Sequence, residues 1–159
     1  MNIEFEMAIS SDYKEIHTVM QTSAREISRK SYHERVAKIF DNFYNDRTTD
    51  YIKQTLENPN NHTLLAKSGK RIIGFIQLEV NNDAGTISHL YIMPGFEGNS
   101  VGTHLFNLIK EKAIQMKIEK LLVESTLNAL IYYEKLGFIN KGLIPDGSAY
   151  TLEMELNRV

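Results

Sequence analysis

Apolar residues recur along this chain at two spacings, and each spacing predicts one kind of secondary structure. In residues 2–9, apolar side chains alternate with polar ones, which is the spacing of a β-strand. From Ile16 to Ile27, apolar residues return at the intervals of an amphipathic helix. Two further short helices are predicted between Tyr32 and Leu56. The N-terminal third is therefore predicted to form one strand followed by two or three helices.

The rest of the chain alternates strands and helices. A helix is predicted from Val101 to about Lys117, and a second one, capped by Asn128, ends at Gly137. This order predicts an α/β fold: one mixed, mostly antiparallel sheet of about seven strands, flanked by helices. The remaining strands are predicted at residues 62–67, 71–80, 86–93, 119–126, 137–144 and 149–156.

Composition and charge narrow the class of protein. A chain of 159 residues, 42% hydrophobic and 24% charged, is typical of one globular domain, which we expect to span residues 1–159. Its formal charge of -2 gives no reason to expect nucleic acid or an anionic membrane as a partner. The acidic N-terminal segment is unlike a signal peptide, and no apolar run approaches membrane-spanning length. We therefore expect a cytoplasmic protein.

The residue types present also limit the chemistry. The chain has no cysteine, which excludes disulfides, thiolate metal sites and a covalent thioester on the protein. Its histidines have no paired spacing of the kind that binds metal, so no metal is expected.

One glycine-rich joint offers a place for phosphate. The stretch YIMPGFEGNSVGTHLF, Tyr91 to Phe106, follows a strand and opens a helix, with Gly98 and Gly102 flanking three other residues. Glycine lets a ligand approach the backbone, and the unpaired N–H groups of a first helical turn favour an anion. The spacing matches neither a P-loop nor a dinucleotide-binding fingerprint, so a plain tight turn is the alternative.

A second segment changes the interpretation of that joint. Read together with NALIYYEKLGF, Asn128 to Phe138, the joint resembles the GNAT superfamily of N-acetyltransferases. The family's Ala-x-x-Phe-Tyr-x-x-x-Gly-Phe segment is matched in register from Ala129 to Phe138. Its Arg/Gln-x-x-Gly-x-Gly/Ala loop is matched at Gly102, whereas Glu97 replaces the leading Arg or Gln and Ser100 replaces the middle glycine.

The resemblance implies a cosubstrate and the residues that bind it. Members of this family bind acetyl-CoA with the pantetheine arm paired to a strand and the pyrophosphate on the glycine loop. Glu97 cannot donate to phosphate, and we expect its carboxylate to point to solvent. Carried over residue by residue, the cofactor-binding positions are Leu90, Tyr91 and Ile92 on the strand, Gly98, Asn99, Ser100, Val101, Gly102 and Thr103 in the loop, and Asn128 in the second motif.

Catalytic candidates follow from the same resemblance. Tyr133 is expected to give its proton to the departing CoA thiolate. The backbone N–H of Ile92 is expected to stabilise the oxyanion, at a point where the family's strands splay. Tyr132 is expected to pack. Glu79 and His89, on adjacent strands, are the candidates for the base that takes a proton from the amine. With no cysteine available, direct transfer from acetyl-CoA to the amine is expected.

The sequence says least about the acceptor, the molecule that would receive the acetyl group. The aromatic residues between Tyr32 and Tyr51 predict either a pocket for a small amine or packing of helices onto the sheet. The expected acceptor is a primary amine of a small molecule or peptide, and a homodimer is left open. Longer acyl donors would use the same site. Because Glu97 and Ser100 depart from the family pattern, the alternative is a catalytically silent acyl-CoA-binding sensor.

Overall fold

The structure, a computed structural model of the chain, describes residues 2–31 and 47–156. The two helices predicted between Tyr32 and Leu56 fall partly outside these residues, and the described part contains one helix. In chain order the elements are β1 (Ile3–Met7), α1 (Tyr13–Ser31), α2 (Thr49–Glu57), β2 (Asn61–Ser68), β3 (Arg71–Asn81), β4 (Ala84–Ile92), α3 (Val101–Gln115), β5 (Lys120–Ser125), α4 (Leu130–Leu136), β6 (Ile139–Leu143) and β7 (Tyr150–Glu155).

The seven described strands form one sheet in the order β1-β2-β3-β4-β5-β7-β6. Every neighbouring pair is antiparallel except β4 and β5, which run parallel. Parallel neighbours need a crossover connection, and α3 lies in that connection. The predicted mixed, mostly antiparallel sheet flanked by helices is confirmed.

Each face of the sheet has its own apolar core. Burial of one large apolar side chain stabilises the fold by about 1.5–3 kcal/mol, so both helix layers are firmly attached. On one face α3 packs Val101, Leu105, Phe106, Ile109 and Ala113 into a cluster with strand residues such as Ile76 and Leu121. On the other face α1 and α2 pack Ile16, Val19, Met20, Ala24 and Ile52 against Leu65, Phe75 and Tyr91.

The sheet opens between β4 and β5. Gln77 lies opposite His89, whereas Leu78 lies opposite Ile87, so Ser88 is an extra residue in β4. Such a bulge bends its strand and disturbs the pairing there. The pairing of β4 with β5 ends next to the bulge, at Ile87 and Val123. The remainder of β4, from Ser88 to Ile92, therefore runs beside β3 alone, as the family resemblance implied.

One detail of the sequence-based prediction is wrong. Asn128 does not cap α4, because it lies inside a 3₁₀ turn at Leu127–Ala129 and the α-helix begins at Leu130. The helix predicted to run from Val101 to about Lys117 is α3, which ends at Gln115.

Candidate active site

The open edge of β4 presents backbone groups to the gap. The N–H of Met93 donates to the carbonyl of Ile73 at 2.7 Å, which joins this part of β4 to β3. In an antiparallel ladder, alternate residues direct their N–H and C=O groups to opposite sides. Leu90 and Ile92 therefore direct theirs away from β3 and into the gap left by β5. An extended ligand with amide groups could pair with this edge as a strand does.

A cavity of about 850 Å³ lies along this edge. Its walls come from α1, from the end of β4, from the loop before α3, and from α4. The volume lies in the range of small-molecule and cofactor sites. The lining residues are Ser23, Glu26, Leu90, Tyr91, Ile92, Pro94, Phe96, Glu97, Gly98, Ser100, Val101, Gly102, Thr103, Ala129, Tyr132 and Tyr133.

The loop before α3 leaves the first N–H groups of the helix open to the cavity. Its backbone is left-handed at Gly95, Gly98 and Ser100, and Ser100 is the N-cap, with φ 60° and ψ 16° and no capping bond from its side chain. The N–H of His104 donates to the Ser100 carbonyl at 3.0 Å. The N–H groups that precede it in α3, including that of Gly102, have no helical partner and favour an anion.

Two hydroxyl groups stand beside this helix start. The oxygens of Thr103 Oγ1 and Tyr132 OH are 3.0 Å apart. Two hydroxyls bonded to each other use one proton, so the second proton can be donated to a ligand. A Cβ added at Gly102 would come within 3.2 Å of the Tyr132 oxygen. Tyr132, expected only to pack, therefore also supplies a polar group to the cavity.

Glu97 is exposed, as expected, but its carboxylate is held by the loop. Its Oε2 accepts a hydrogen bond from the N–H of Gly95 at 2.8 Å. This contact turns the charge towards the start of the loop, although Glu97 still lines the cavity. A negative charge here lowers the affinity of this wall for phosphate.

Tyr133 is buried at the α4 wall. Its ring packs edge-on against Tyr132, with centroids 5.5 Å apart, and against Phe138, with centroids 5.6 Å apart. Burial, and then the neighbouring Tyr132, raise the pKa of the Tyr133 phenol well above its ordinary value. The phenol therefore stays protonated at neutral pH, which is the state needed to donate a proton into the cavity.

Ser23 and Glu26, on α1, line the cavity and were missed by the sequence reasoning. The Ser23 hydroxyl donates to the carbonyl of Ile92 at 2.9 Å, and Ser23 is only 3% exposed. One signal was available, because Ser23 lies four residues after Val19 on the apolar face of α1. A small polar side chain at such a position needs a hydrogen-bond partner.

His89 lies outside the cavity lining, on the α1 and α2 side of the sheet. It is 6% exposed, and the ring centroids of Phe75, Tyr91 and Tyr51 lie 6.0 to 6.2 Å from its own. Burial, and then the charge of Arg47, lower the pKa of His89 to about 4. His89 is therefore neutral at neutral pH.

A chain of hydrogen-bonded side chains fixes the tautomer of His89. The Gln77 amide donates to Thr63 Oγ1 at 3.0 Å, and its Oε1 accepts from the Ser88 hydroxyl at 3.0 Å. Since the Ser88 proton is used there, its oxygen accepts from His89 Nδ1, 3.2 Å away. The proton of the neutral ring therefore lies on Nδ1, and Nε2 carries the lone pair.

Glu79 is exposed on β3, opposite Thr86 of β4. Leu90 lies opposite Ile76, so Glu79 is roughly 10 Å further along the sheet, at about 3.3 Å per residue. Its charge acts on Tyr51, whose pKa is raised by burial, lowered by Arg47 and raised again by Glu79. Glu79 therefore faces the α2 side, away from the lining of the cavity.

The structure thus brings most of the predicted cosubstrate residues together. Leu90, Tyr91, Ile92, Gly98, Ser100, Val101, Gly102, Thr103 and Tyr133 all line the one cavity. Asn99 is outside the lining and donates to the Phe96 carbonyl at 3.2 Å. The side chain of Asn128 lies outside the described part of the chain.

Among residues 2–31 and 47–156, no three or more His, Asp or Glu side chains converge as metal ligands. No helix in these ranges combines the length and apolar character needed to cross a membrane.

Comparison with protein families identifies the class of protein. Residues 20–145 match the model of the acetyltransferase (GNAT) domain. This match covers most of the chain, and the protein therefore belongs to the GNAT acetyltransferase family. It is an acyltransferase. The comparison with curated proteins gave no match.

Solved structures with similar folds are GNAT proteins as well. The PaiA N-acetyltransferase from Thermoplasma acidophilum, in complex with coenzyme A, is 19% identical, with a TM-score of 0.83 over 98% of this chain and 100% of that one. Aminoglycoside 6′-acetyltransferase type Ii is 15% identical, with a TM-score of 0.76 over 98% and 99%. The ribosomal-protein-S18-alanine N-acetyltransferase from Escherichia coli is 14% identical, with a TM-score of 0.67 over 98% and 93%.

Proposed function

We propose that this protein transfers an acetyl group from acetyl-CoA directly to a primary amine of a small molecule or peptide. One observation carries the proposal: a single cavity runs from the open first turn of α3, along the unpaired edge of β4, to the buried phenol of Tyr133. Its polar groups suit, in order, a diphosphate, an amide-containing arm and a thiolate leaving group. The CoA bound in the PaiA structure supports the same cosubstrate here.

The cosubstrate is held mainly by backbone groups. The diphosphate lies against the N–H groups of α3 around Gly102, next to the Thr103 and Tyr132 hydroxyls. Ile92 lies beside this loop, because its Cγ1 would be 3.8 Å from a Cβ at Gly102. The N–H of Ile92 is thus placed for an amide of the pantetheine arm. The thioester lies further along β4, where the N–H of Leu90 also faces the gap and stabilises the oxyanion.

The proposed oxyanion donor is thus the N–H of Leu90, and not that of Ile92, the residue expected from the sequence. The amine nitrogen attacks the thioester carbonyl, a C–N bond forms, and the C–S bond breaks as the oxyanion collapses. Tyr133 gives its proton to the CoA thiolate and is reprotonated from solvent. The proton lost by the amine leaves to solvent water. Of the two candidate bases, Glu79 is preferred as the relay because it is exposed to that water, whereas His89 is only 6% exposed.

The test is release of free CoA thiol in the presence of amines, together with calorimetric titration of acetyl-CoA. The panel includes aminoglycosides and peptides with N-terminal alanine, since similar folds act on an aminoglycoside and on ribosomal protein S18. Saturable acetyl-CoA binding with amine-dependent thiol release is the expected result. Absence of acetyl-CoA binding contradicts the proposal. Tight binding without turnover on any amine would favour the sensor alternative, which Glu97 and Ser100 motivate.

A further inference from the structure

Ser23 makes an unusual contact for a helical serine. Serine and threonine inside a helix commonly bond the carbonyl four residues earlier, as Thr18 does with Lys14 at 3.2 Å. Ser23 instead reaches across to β4 and donates to the carbonyl of Ile92 at 2.9 Å. The contact joins α1 to the open edge of the sheet, and Ser23 lines the cavity.

The Ser23 hydroxyl replaces a hydrogen-bond donor that a neighbouring strand would otherwise supply. The carbonyl of Ile92 faces the gap, where a neighbouring strand would normally donate to it, but the pairing with β5 ends at Ile87. The Ser23 hydroxyl takes the place of that donor. The N–H of Ile92 faces the same gap and is left to a ligand. Because the Ile92 carbonyl is already bonded, the group that Ile92 offers to a ligand is a donor. A ligand that lies here must therefore bring a hydrogen-bond acceptor.

We propose that Ser23 is a positioning residue for the pantetheine arm of CoA. This inference rests on the proposed function, because it concerns the arm of the same cosubstrate. By engaging the Ile92 carbonyl, Ser23 holds the Ile92–Met93 peptide in place and leaves the Ile92 N–H as the group that pairs with a pantetheine carbonyl. The one proton of the Ser23 hydroxyl is donated to β4, so its effect falls on the segment of the ligand that lies along that strand.

The experiment compares two ligands by calorimetry. CoA carries the pantetheine arm, whereas 3′-phosphoadenosine 5′-diphosphate, its nucleotide half, ends at the diphosphate. The variants are Ser23→Ala, which removes the hydroxyl, and Ser23→Thr, which keeps it. Thr18→Ala is the matched control, because it deletes a hydroxyl on an exposed part of the same helix.

For Ser23→Ala we expect the Kd for CoA to rise about three- to tenfold, the range for losing one neutral hydrogen bond. Its Kd for the nucleotide half should stay within about twofold of the wild type, and Ser23→Thr should restore most of the CoA affinity. The KM for acetyl-CoA should rise in parallel, while the KM for the amine is unchanged. Thr18→Ala should match the wild type with both ligands.

Three results would overturn the inference. If Ser23→Ala binds CoA as the wild type does, the hydroxyl has no positioning role. If both ligands weaken equally in Ser23→Ala, the residue supports the fold in general and not the arm. If Ser23→Thr is as weak as Ser23→Ala, the hydroxyl is not the active group. Failure of the wild type to bind CoA would instead refute the proposed function, and this inference with it.

Discussion

The hydroxyl oxygens of Thr103 and Tyr132 lie 3.0 Å apart, although 29 positions separate the two residues in the chain. Thr103 lies in the first turn of α3, directly after the glycine loop, and Tyr132 lies in the second motif, so this contact joins the two motif segments at one wall of the cavity. The space between them is narrow, because a Cβ at Gly102 would lie 3.2 Å from the Tyr132 oxygen.

We expect Gly102→Asp to abolish CoA binding without unfolding the protein. The new carboxylate would occupy the proposed diphosphate position and repel the diphosphate of CoA, so the Kd for CoA should rise by at least about 100-fold. An acid in the first helical turn is favourable to the helix dipole, whereas its Cβ crowds the Tyr132 oxygen at 3.2 Å, so the free energy of unfolding should fall by no more than about 1–2 kcal/mol. Calorimetric titration and urea unfolding measure the two quantities. The control is Asn107→Asp, which adds the same charge to an exposed position of α3; equal CoA binding by both variants would contradict the phosphate site.

Tyr133→Phe should slow acetyl transfer without weakening CoA binding. The ring still packs against Phe138, but the proton for the thiolate is gone, so kcat should fall about 100-fold, within the range for a general acid. Tyr132→Phe is the matched comparison and should do the reverse, with kcat little changed and the Kd for CoA about three- to tenfold higher. Steady-state thiol release and calorimetry separate the two effects. An unchanged kcat in Tyr133→Phe would remove it from the mechanism.

Glu97→Gln should strengthen CoA binding. The glutamine retains an oxygen to accept from the Gly95 N–H, so the loop should keep its shape while one negative charge leaves the cavity wall. We expect the Kd for CoA to fall about two- to fivefold at low ionic strength, and by less in high salt because exposed charges are screened. Glu111→Gln, on the exposed side of α3, is the control. A salt-independent change would point to loop geometry and away from charge.

The buried His89 should make stability fall as the solution is acidified. Its folded pKa of about 4 lies below its ordinary value of 6.5, so the unfolded chain takes up this proton first. The contribution of the neutral His89 to the free energy of unfolding is therefore fully present above pH 6.5. It is lost as the pH falls from 6.5 towards 4. Between pH 7 and pH 5, wild type should lose about 2 kcal/mol more than His89→Gln.

Urea unfolding at both pH values measures this difference, and the NMR titration of the His89 ring gives an independent reading. A wild type whose stability falls in parallel with that of His89→Gln would contradict the buried, neutral histidine. A ring that titrated near pH 6.5 in the NMR experiment would contradict it as well.

The order of strands and helices was predictable because it depends on local spacing. Buried side chains follow one another along β3 and alternate with partly exposed ones along β4, and both patterns are typical of strands. In α3 the apolar residues recur on one face of the helix. The turn before α3 was also predictable, since the left-handed backbone at Gly98 is a conformation that glycine permits. The 3₁₀ turn that displaces the cap from Asn128 was not predictable, because no local pattern separates it from a first turn of α-helix.

The contacts that define the site depend on long-range packing and could not be read from spacing. Ser88 looks like any strand residue, and only the register against β3 makes it an extra one. Ser23 and Ile92 are 69 positions apart, and a serine on a helix gives no hint of which strand it will reach. The ring contacts of His89 are not readable from spacing either, because Phe75 lies on the neighbouring strand and Tyr51 on α2.

The early end of the β4–β5 ladder means that the sheet is held together in its middle at only four residue positions. A bound pantetheine arm would act as a short extra strand in that opening and brace its two halves against each other. Binding of CoA should then be measurable without an activity assay. At a CoA concentration of 100 times Kd, the free energy of unfolding should rise by about 2.7 kcal/mol. Amide hydrogens of Leu90 and Ile92 should exchange quickly in the free protein and slowly in the complex.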